Sequence, residues 1–183
     1  MRTLLVLAGC FLLGSIPTAY LLVRLRLNKD IRQMGSGNVG TMNVRGVLGW
    51  PAALGVLVCD AAKGVAAVYL CLALKVSPDV GLALAVAGHI YTPWLGFRGG
   101  KGLATALGGV LAIGEWQAIV VFALVWLVFF FFIWPNQGDH DNLAGAVSVI
   151  AYSLVTGPQW GLALAAGLIA LKHWQAIRAA KEA

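Results

Sequence analysis

The sequence predicts an all-α polytopic membrane protein, and three observations carry that prediction. Of its 183 residues, 60% are hydrophobic and only 11% charged, whereas a soluble domain carries about 25% charged residues. Apolar runs recur along the chain, some of them near the ~20 residues that one helical crossing of a bilayer needs. The basic residues are gathered in the connections between those runs, which is how membrane proteins encode their orientation. No low-complexity stretch or soluble appendage divides the chain, so residues 1–183 are expected to form a single integral membrane domain.

Taken in order, Thr3–Val23 is the first candidate span. It reads as a span rather than a cleaved signal, because the apolar run continues past Gly14-Ser-Ile-Pro17. Trp50–Leu74, Val80–Phe97 and Trp116–Trp134 follow as full-length candidates. Leu103–Ile113, Leu143–Thr156 and Trp160–Leu171 are shorter, and predict short or tilted helices extended by their flanks, or pieces shielded by protein. If all seven cross, one face receives Arg24, Arg26, Lys29, Arg32, Arg45, Arg98, Lys101, Lys172, Arg178 and Lys181, ten in all. The other keeps Arg2 and Lys75, with Lys63 inside a span. The expectation is therefore seven transmembrane helices, the N-terminus outside and the C-terminus cytoplasmic. Trp50, Trp94, Trp116, Trp134, Trp160 and Trp174 fall at span ends, as an interfacial aromatic belt does. Cys10, Cys59 and Cys71 sit in apolar runs without metal-ligand spacing and read as buried small hydrophobes.

Two glycine-rich loops are predicted on the basic face. Gly35-Ser-Gly37-Asn-Val-Gly40 matches the dinucleotide pattern G-x-G-x-x-G, but it follows a membrane helix rather than a strand, so the nucleotide reading fails its context. Its physics survives: glycines let backbone N–H groups converge on an anion, Ser36, Asn38 and Asn43 add neutral hydrogen-bonding groups, and Arg32 and Arg45 flank them. Gly96-Phe-Arg98-Gly99-Gly100-Lys101-Gly102 is again glycine-rich and basic. It is not a Walker A loop, because its first glycine is one residue too close and no Ser or Thr follows the lysine. It opens directly into an apolar run, which places a helix N-terminus beside Lys101. Together the loops predict a site for one or two phosphates.

Among the remaining polar residues, Asp60 and Lys63 share a helix face at i,i+3 and read as a structural pair inside a span. His89 lies mid-span and reads as a hydrogen-bonding partner for a neighbouring helix or loop. His173 ends the last span beside Lys172, where it is either an acid, base or phosphate donor or an interfacial anchor. Gly138-Asp-His-Asp-Asn142, the one acidic cluster, reads as a solvated turn rather than a cation site.

These residues resemble a known family, the bacterial glycerol-3-phosphate acyltransferases that use acyl phosphate (the PlsY type). The resemblance rests on Gly14-Ser-Ile-Pro17, on Asp30-Ile-Arg-Gln-Met-Gly-Ser-Gly-Asn-Val-Gly40 with Asn43, on Asp60 and Lys63-Gly64, and on Gly88-His89 through Gly96-Phe-Arg-Gly-Gly-Lys-Gly-Leu-Ala-Thr105. It is dense over roughly residues 14–109. It implies a multi-pass bacterial inner-membrane enzyme with its active site on the cytoplasmic face. The implied reaction moves a fatty acyl group from acyl phosphate to the 1-hydroxyl of glycerol 3-phosphate, giving lysophosphatidic acid and phosphate. The resemblance further implies that no cofactor, metal, acyl carrier or nucleic acid takes part, and that the partners are acyl phosphate, glycerol 3-phosphate and membrane lipid. Carried over by position, Ser36, Lys101 and His173 are the expected catalytic residues. Gly35, Gly37, Asn38, Gly40, Asn43, Arg45, His89, Arg98, Gly99 and Gly100 are the expected substrate-binding ones.

Three positions depart from the family pattern. Its Thr-Asn-Val-x-Arg run is here Met42-Asn43-Val44-Arg45-Gly46, with the arginine one position early. The C-terminal His-x-x-Asn is His173-Trp-Gln-Ala176, and Asp139-His-Asp-Asn142 stands where the family often has Arg-Tyr-x-Ser. Two alternatives therefore stay open at the level of sequence: an acyltransferase with another hydroxyl acceptor, or a non-catalytic protein that binds a phosphorylated lipid.

Overall fold

The computed structural model describes residues 1–133, 138–157 and 159–182, and among them all regular structure is helical. Within these residues nine α-helices follow in order: α1 (Arg2–Ser15), α2 (Thr18–Leu27), α3 (Thr41–Leu48), α4 (Trp50–Ala73), α5 (Pro78–Ile90), α6 (Leu103–Ile113), α7 (Trp116–Val128), α8 (Gly138–Val155) and α9 (Trp160–Glu182). A five-residue π-helical stretch, Phe129–Ile133, continues α7. Three helical stretches among the described residues are long and apolar enough to cross a membrane: Arg2–Leu27 (26 residues), Trp50–Ala73 (24) and Trp116–Ile133 (18). The last is exposed along most of its surface, which is stable only where the surrounding solvent is lipid.

Helices pack where side chains are smallest. α1 lies against α5 and α4 against α6. A Cβ at Gly14 would run into the Ala85 backbone, one at Gly64 into the Thr105 carbonyl, and one at Gly108 into the Ala61 carbonyl. In lipid, where burying apolar surface drives helix association weakly, such close backbone approach is what holds neighbours together. α8 and α9 form an antiparallel hairpin whose buried face, with those of α5 and α6, builds the largest apolar core around Leu82, Val86, Ile90 and Ile169.

The structure corrects four sequence expectations. The first span is interrupted between α1 and α2, because Pro17 has no N–H to continue the helix. Val80–Phe97 is not one helix. α5 ends at Ile90, and Pro93 opens a short 3-10 turn, Pro93–Leu95, after an extended Thr92. Apolar composition concealed that break. Gly138–Asn142 is the first turn of α8, with Asp141 fully buried, rather than a solvated turn. Cys59 is exposed, while Cys10 and Cys71 are buried with their sulfurs 3.5 Å apart as free thiols. Trp134 and residues 135–137 lie outside the described residues.

The break at Pro17 is stitched by side chains. The Ser15 carbonyl accepts from Thr92 Oγ1 at 2.6 Å, and the Ile16 carbonyl accepts from Lys63 Nζ at 2.5 Å. Lys63 also donates to Asp60 Oδ1 at 2.5 Å, and Thr18 Oγ1 donates to the same oxygen at 2.7 Å. Trp94 Nε1 adds a bond to Ser15 Oγ at 2.9 Å. Asp60 and Lys63 are thus the structural pair expected, each buried, with His89 Nδ1 3.9 Å from the carboxylate. Breaking a buried pair by removing one partner costs about 3–5 kcal/mol. Lys63→Met should therefore lower the thermal midpoint in detergent sharply, and Asp60→Asn combined with Lys63→Met should recover part of the loss. An unchanged midpoint in Lys63→Met would mean that the pair does not hold the break.

Candidate active site

The two glycine loops meet because α5 ends where it does. The last helical carbonyls need donors, and here they come from the second loop: Gly99 N donates to Ile90 O at 2.9 Å and Gly100 N to His89 O at 3.2 Å. No side chain fits at either position. A Cβ at Gly99 would strike the His89 and Ile90 carbonyls, and one at Gly100 the His89 ring and the Val39 carbonyl. Val39 belongs to the first loop, so Gly100 is where the loops touch.

The first loop is wound around Asn43. From the first turn of α3, its buried side chain accepts from Ser36 N at 3.1 Å and donates to the Met34 and Asn38 carbonyls, both at 2.9 Å, and to Ile31 O at 3.3 Å. Gly35 and Gly37 take the positive φ values, 54° and 70°, that let the chain close so tightly. Upstream, Asp30 caps the short 3-10 turn Ile31–Gln33 and forms a double-pronged ion pair with Arg32, whose guanidinium holds the carboxyl below its ordinary range. Arg32 Nη1 reaches Leu95 O at 3.1 Å and ties the two loops from the other side.

Between the loops and the last turns of α9 lies a cavity of about 900 Å³. Of the residues singled out from the sequence, Ser36, Gly37, Asn38, Arg98, Gly99 and Lys101 line it. Arg32, expected to flank the first loop as a phosphate-binding group, lines it too, and so do Lys172, Gln175 and Asp139, which were not in the expected set. Gln175, Ala176, Ala179 and Ala180 follow Lys172 at helical spacing on one face of α9, a signal present in the sequence. Asp139 was concealed by reading its cluster as a solvated turn.

The other expected residues lie outside the wall. Gly35, Gly40, Asn43 and Gly100 shape the loops, and His89 is buried beneath Gly100. Arg45 is turned away, its guanidinium 4.3 Å above the Trp50 ring. His173 is only 1% exposed and sits behind Asp139. Asp139 Oδ1 binds both Lys101 Nζ and, at 2.7 Å, His173 Nδ1. Burial pushes the Asp139 carboxyl upward, but hydrogen bonds from His173 and Lys101 and the lysine charge outweigh it, leaving a pKa of about 2. Asp139 is therefore an anion at neutral pH, and against an anion His173 Nδ1 must carry the proton. Lys172 is pushed the other way, downward, by burial and by the charge of Lys101.

A second cavity, of about 240 Å³, lies among α4, α6, α7, α8 and α9. Its lining is apolar and includes Leu103, Leu107, Val110, Ile119, Phe122 and Ile169. Leu103, which lines the apolar cavity, follows Lys101, which lines the basic one, by two residues, so one short step of chain contributes to both.

A helical membrane protein with one basic, partly glycine-lined cavity and one apolar cavity has the features that an enzyme of anionic lipids or their precursors needs. The sequence profile described as glycerol-3-phosphate acyltransferase matches residues 4–182, and the chain belongs to that family. A glycerol-3-phosphate acyltransferase from Photobacterium profundum is 38% identical over 184 residues, covering 96% of this chain and 87% of its own. One from Myxococcus xanthus is 41% identical over 182 residues, covering 95% and 91%. Among solved structures, the glycerol 3-phosphate form of PlsY (YgiH), an integral membrane glycerol 3-phosphate acyltransferase, superimposes with a TM-score of 0.79 at 29% identity, over 97% of this chain and 91% of that one. The lysophosphatidic acid form gives 0.76 at 28%, over 100% and 91%.

Asn43→Ala should loosen the first loop selectively, since each buried backbone group left unsatisfied costs about 1–3 kcal/mol. The Ser36 amide should then exchange at least about tenfold faster with solvent hydrogen. Unchanged exchange would show that the loop holds its shape without Asn43.

Proposed function

We propose that the protein transfers a fatty acyl group from acyl phosphate to the 1-hydroxyl of glycerol 3-phosphate, releasing lysophosphatidic acid and inorganic phosphate as a step in phospholipid synthesis. The observation that carries this reading is that the step from Lys101 to Leu103 contributes both to a basic cavity large enough for phosphate groups and to an apolar one suited to an acyl chain. Acyl phosphate is already activated, so catalysis reduces to placing two anions together and stabilising the charge that develops. The acceptor oxygen forms the new bond to the acyl carbon, and the bond from that carbon to the phosphate oxygen breaks. The hydroxyl proton leaves with the departing phosphate.

In this mechanism Lys101 neutralises the phosphate that leaves, and Arg98, Arg32 and Lys172 hold the phosphate of the acceptor. Ser36 serves as a hydrogen-bond donor rather than a nucleophile. Its N–H is engaged by Asn43, and among the described residues its Oγ meets only the Asn38 amide, at 3.5 Å. Gly37 and Gly99 let substrate approach the backbone. Gly35 and the buried Gly40, Asn43, Gly100 and His89 support that wall without lining it. The acidic Asp139 does not by itself favour a cationic acceptor, because Lys101 and His173 already occupy its carboxylate.

The same reading proposes seven crossings, with α1 and α2 as a single broken span and α4 through α9 as the others, in one integral domain of a bacterial inner membrane. Supporting it, the cavity draws together the 30–38 loop, the 98–101 loop, the start of α8 and the end of α9. Those four segments share a face only if the spans between them return the chain to one side. That face, rich in arginine and lysine, is the cytoplasmic one.

Purified protein given acyl phosphate and glycerol 3-phosphate should release phosphate and form lysophosphatidic acid in equal amounts. Folded protein that forms neither sinks the proposal. Lys101→Ala should lower kcat/KM about 10²–10³-fold, the usual effect of deleting one preorganised charge-stabilising group. For topology, cysteines placed at Lys29 and Lys75 in a chain otherwise free of cysteine should react with an impermeant maleimide from opposite sides, Lys75 from outside. Labelling of both from one side would refute the odd number of crossings between them.

A further inference from the structure

The arrangement of Lys101, Asp139 and His173 raises a question of division of labour. Lys101 and Asp139 line the basic cavity; His173 does not. The ring is 1% exposed, its Nδ1 bonds Asp139, and its Nε2 is buried with no hydrogen-bond partner among the described residues. A group so placed cannot touch a molecule in the cavity while Asp139 stands in front of it. Yet the same oxygen that receives His173 also receives the Lys101 ammonium.

We infer that Asp139 is a positioning residue that couples the buried His173 ring to the Lys101 ammonium, so that His173 acts through Asp139 rather than on substrate. The inference rests on the reading of the cavity as the acyl-transfer site. Lysine carries its charge on a flexible four-carbon stem, and an ammonium that must meet a leaving phosphate works only if the stem is held. Asp139 holds it from the first turn of α8, where a carboxylate is favoured by the helix dipole. His173, fixed on the long α9, keeps that carboxylate from turning away. Around the three stand Arg32, Arg98 and Lys172 on the cavity wall, with Asp30 bound to Arg32. Asp139 thus leaves a surplus of cations to meet the substrates.

The test is a double-mutant cycle of Asp139→Asn and His173→Gln, with two readouts. Each single variant should lower kcat about tenfold with a smaller change in KM for glycerol 3-phosphate. The double variant should be no worse than Asp139→Asn alone, a coupling of about tenfold. Without substrate, Lys101 should be acetylated by acetic anhydride severalfold faster in either single variant than in the parent protein, as measured by mass spectrometry. Additive losses would overturn the inference, because His173 would then act independently. A lower KM with undiminished kcat in Asp139→Asn would also overturn it, since Asp139 would be a place-holder that substrate phosphate displaces. If Asp139→Asn does not fold, Lys101 acetylation in His173→Gln decides alone, with an unchanged rate counting against the link. If the parent protein forms no lysophosphatidic acid, the proposed function falls, while the acetylation rates still decide whether the three residues are coupled.

Discussion

Apolar surroundings leave a backbone carbonyl no water to bond, and the rest of this structure depends on how one local break is accommodated. The break lies at Ile16-Pro17, in the middle of an otherwise continuous run of 26 residues. The Ser15 and Ile16 carbonyls receive Thr92 and Lys63, and Lys63 brings Asp60 and Thr18 with it. This small polar knot joins α1, α2, α4 and the turn after α5. A buried charge pair is seldom an efficient source of stability, but here it does something apolar packing does not. It accepts a kinked backbone and fixes the direction in which α2 leaves toward the first glycine loop.

From that knot the second loop follows. Thr92 is held to Ser15, the chain turns at Pro93–Leu95, and Gly99-Gly100 folds back onto the open carbonyls at the end of α5. The glycines of the two loops therefore act mainly by being small. Gly99 and Gly100 make room for carbonyl groups and the His89 ring, while Gly35 and Gly37 let a four-pronged asparagine gather the first loop around itself. An anion-binding nest of free N–H groups is only part of the picture, since Ser36, Gly99 and Gly100 each spend their N–H on protein. The positive character of the cavity comes from side chains, and from a wall that side chains elsewhere do not obstruct.

Asp139 is the charge that distinguishes this site. It sits on the cavity wall against Lys101, with a buried histidine behind it. The depressed pKa of Asp139 has a plain meaning: the hydrogen bonds and electrostatic attraction from His173 and Lys101 favour its anion by more than burial opposes it. An acidic residue in a phosphate site is thereby made compatible with binding phosphate, because its charge is already balanced within the wall.

Much was legible in the sequence, and the reasons differ by residue. Low charge and recurrent apolar runs require a lipid-facing helical protein, whatever its packing. The two glycine-basic loops and the Asp60–Lys63 pair stand out because such residues are costly next to apolar spans unless they have a task. Leu103–Ile113 was bounded correctly by the glycines on either side of it. Tertiary structure alone decided which of these residues meet. Arg45 lies close to the first loop in sequence, yet it stacks on Trp50 because α3 turns it outward. Asp139 and His173 are 34 residues apart and become partners only when α8 and α9 pair as antiparallel helices. Periodicity and composition reveal which surface a residue prefers, and so determine the class of fold. Which charges share a cavity depends on where helices break and cross, and that is set by contacts between segments distant in the chain.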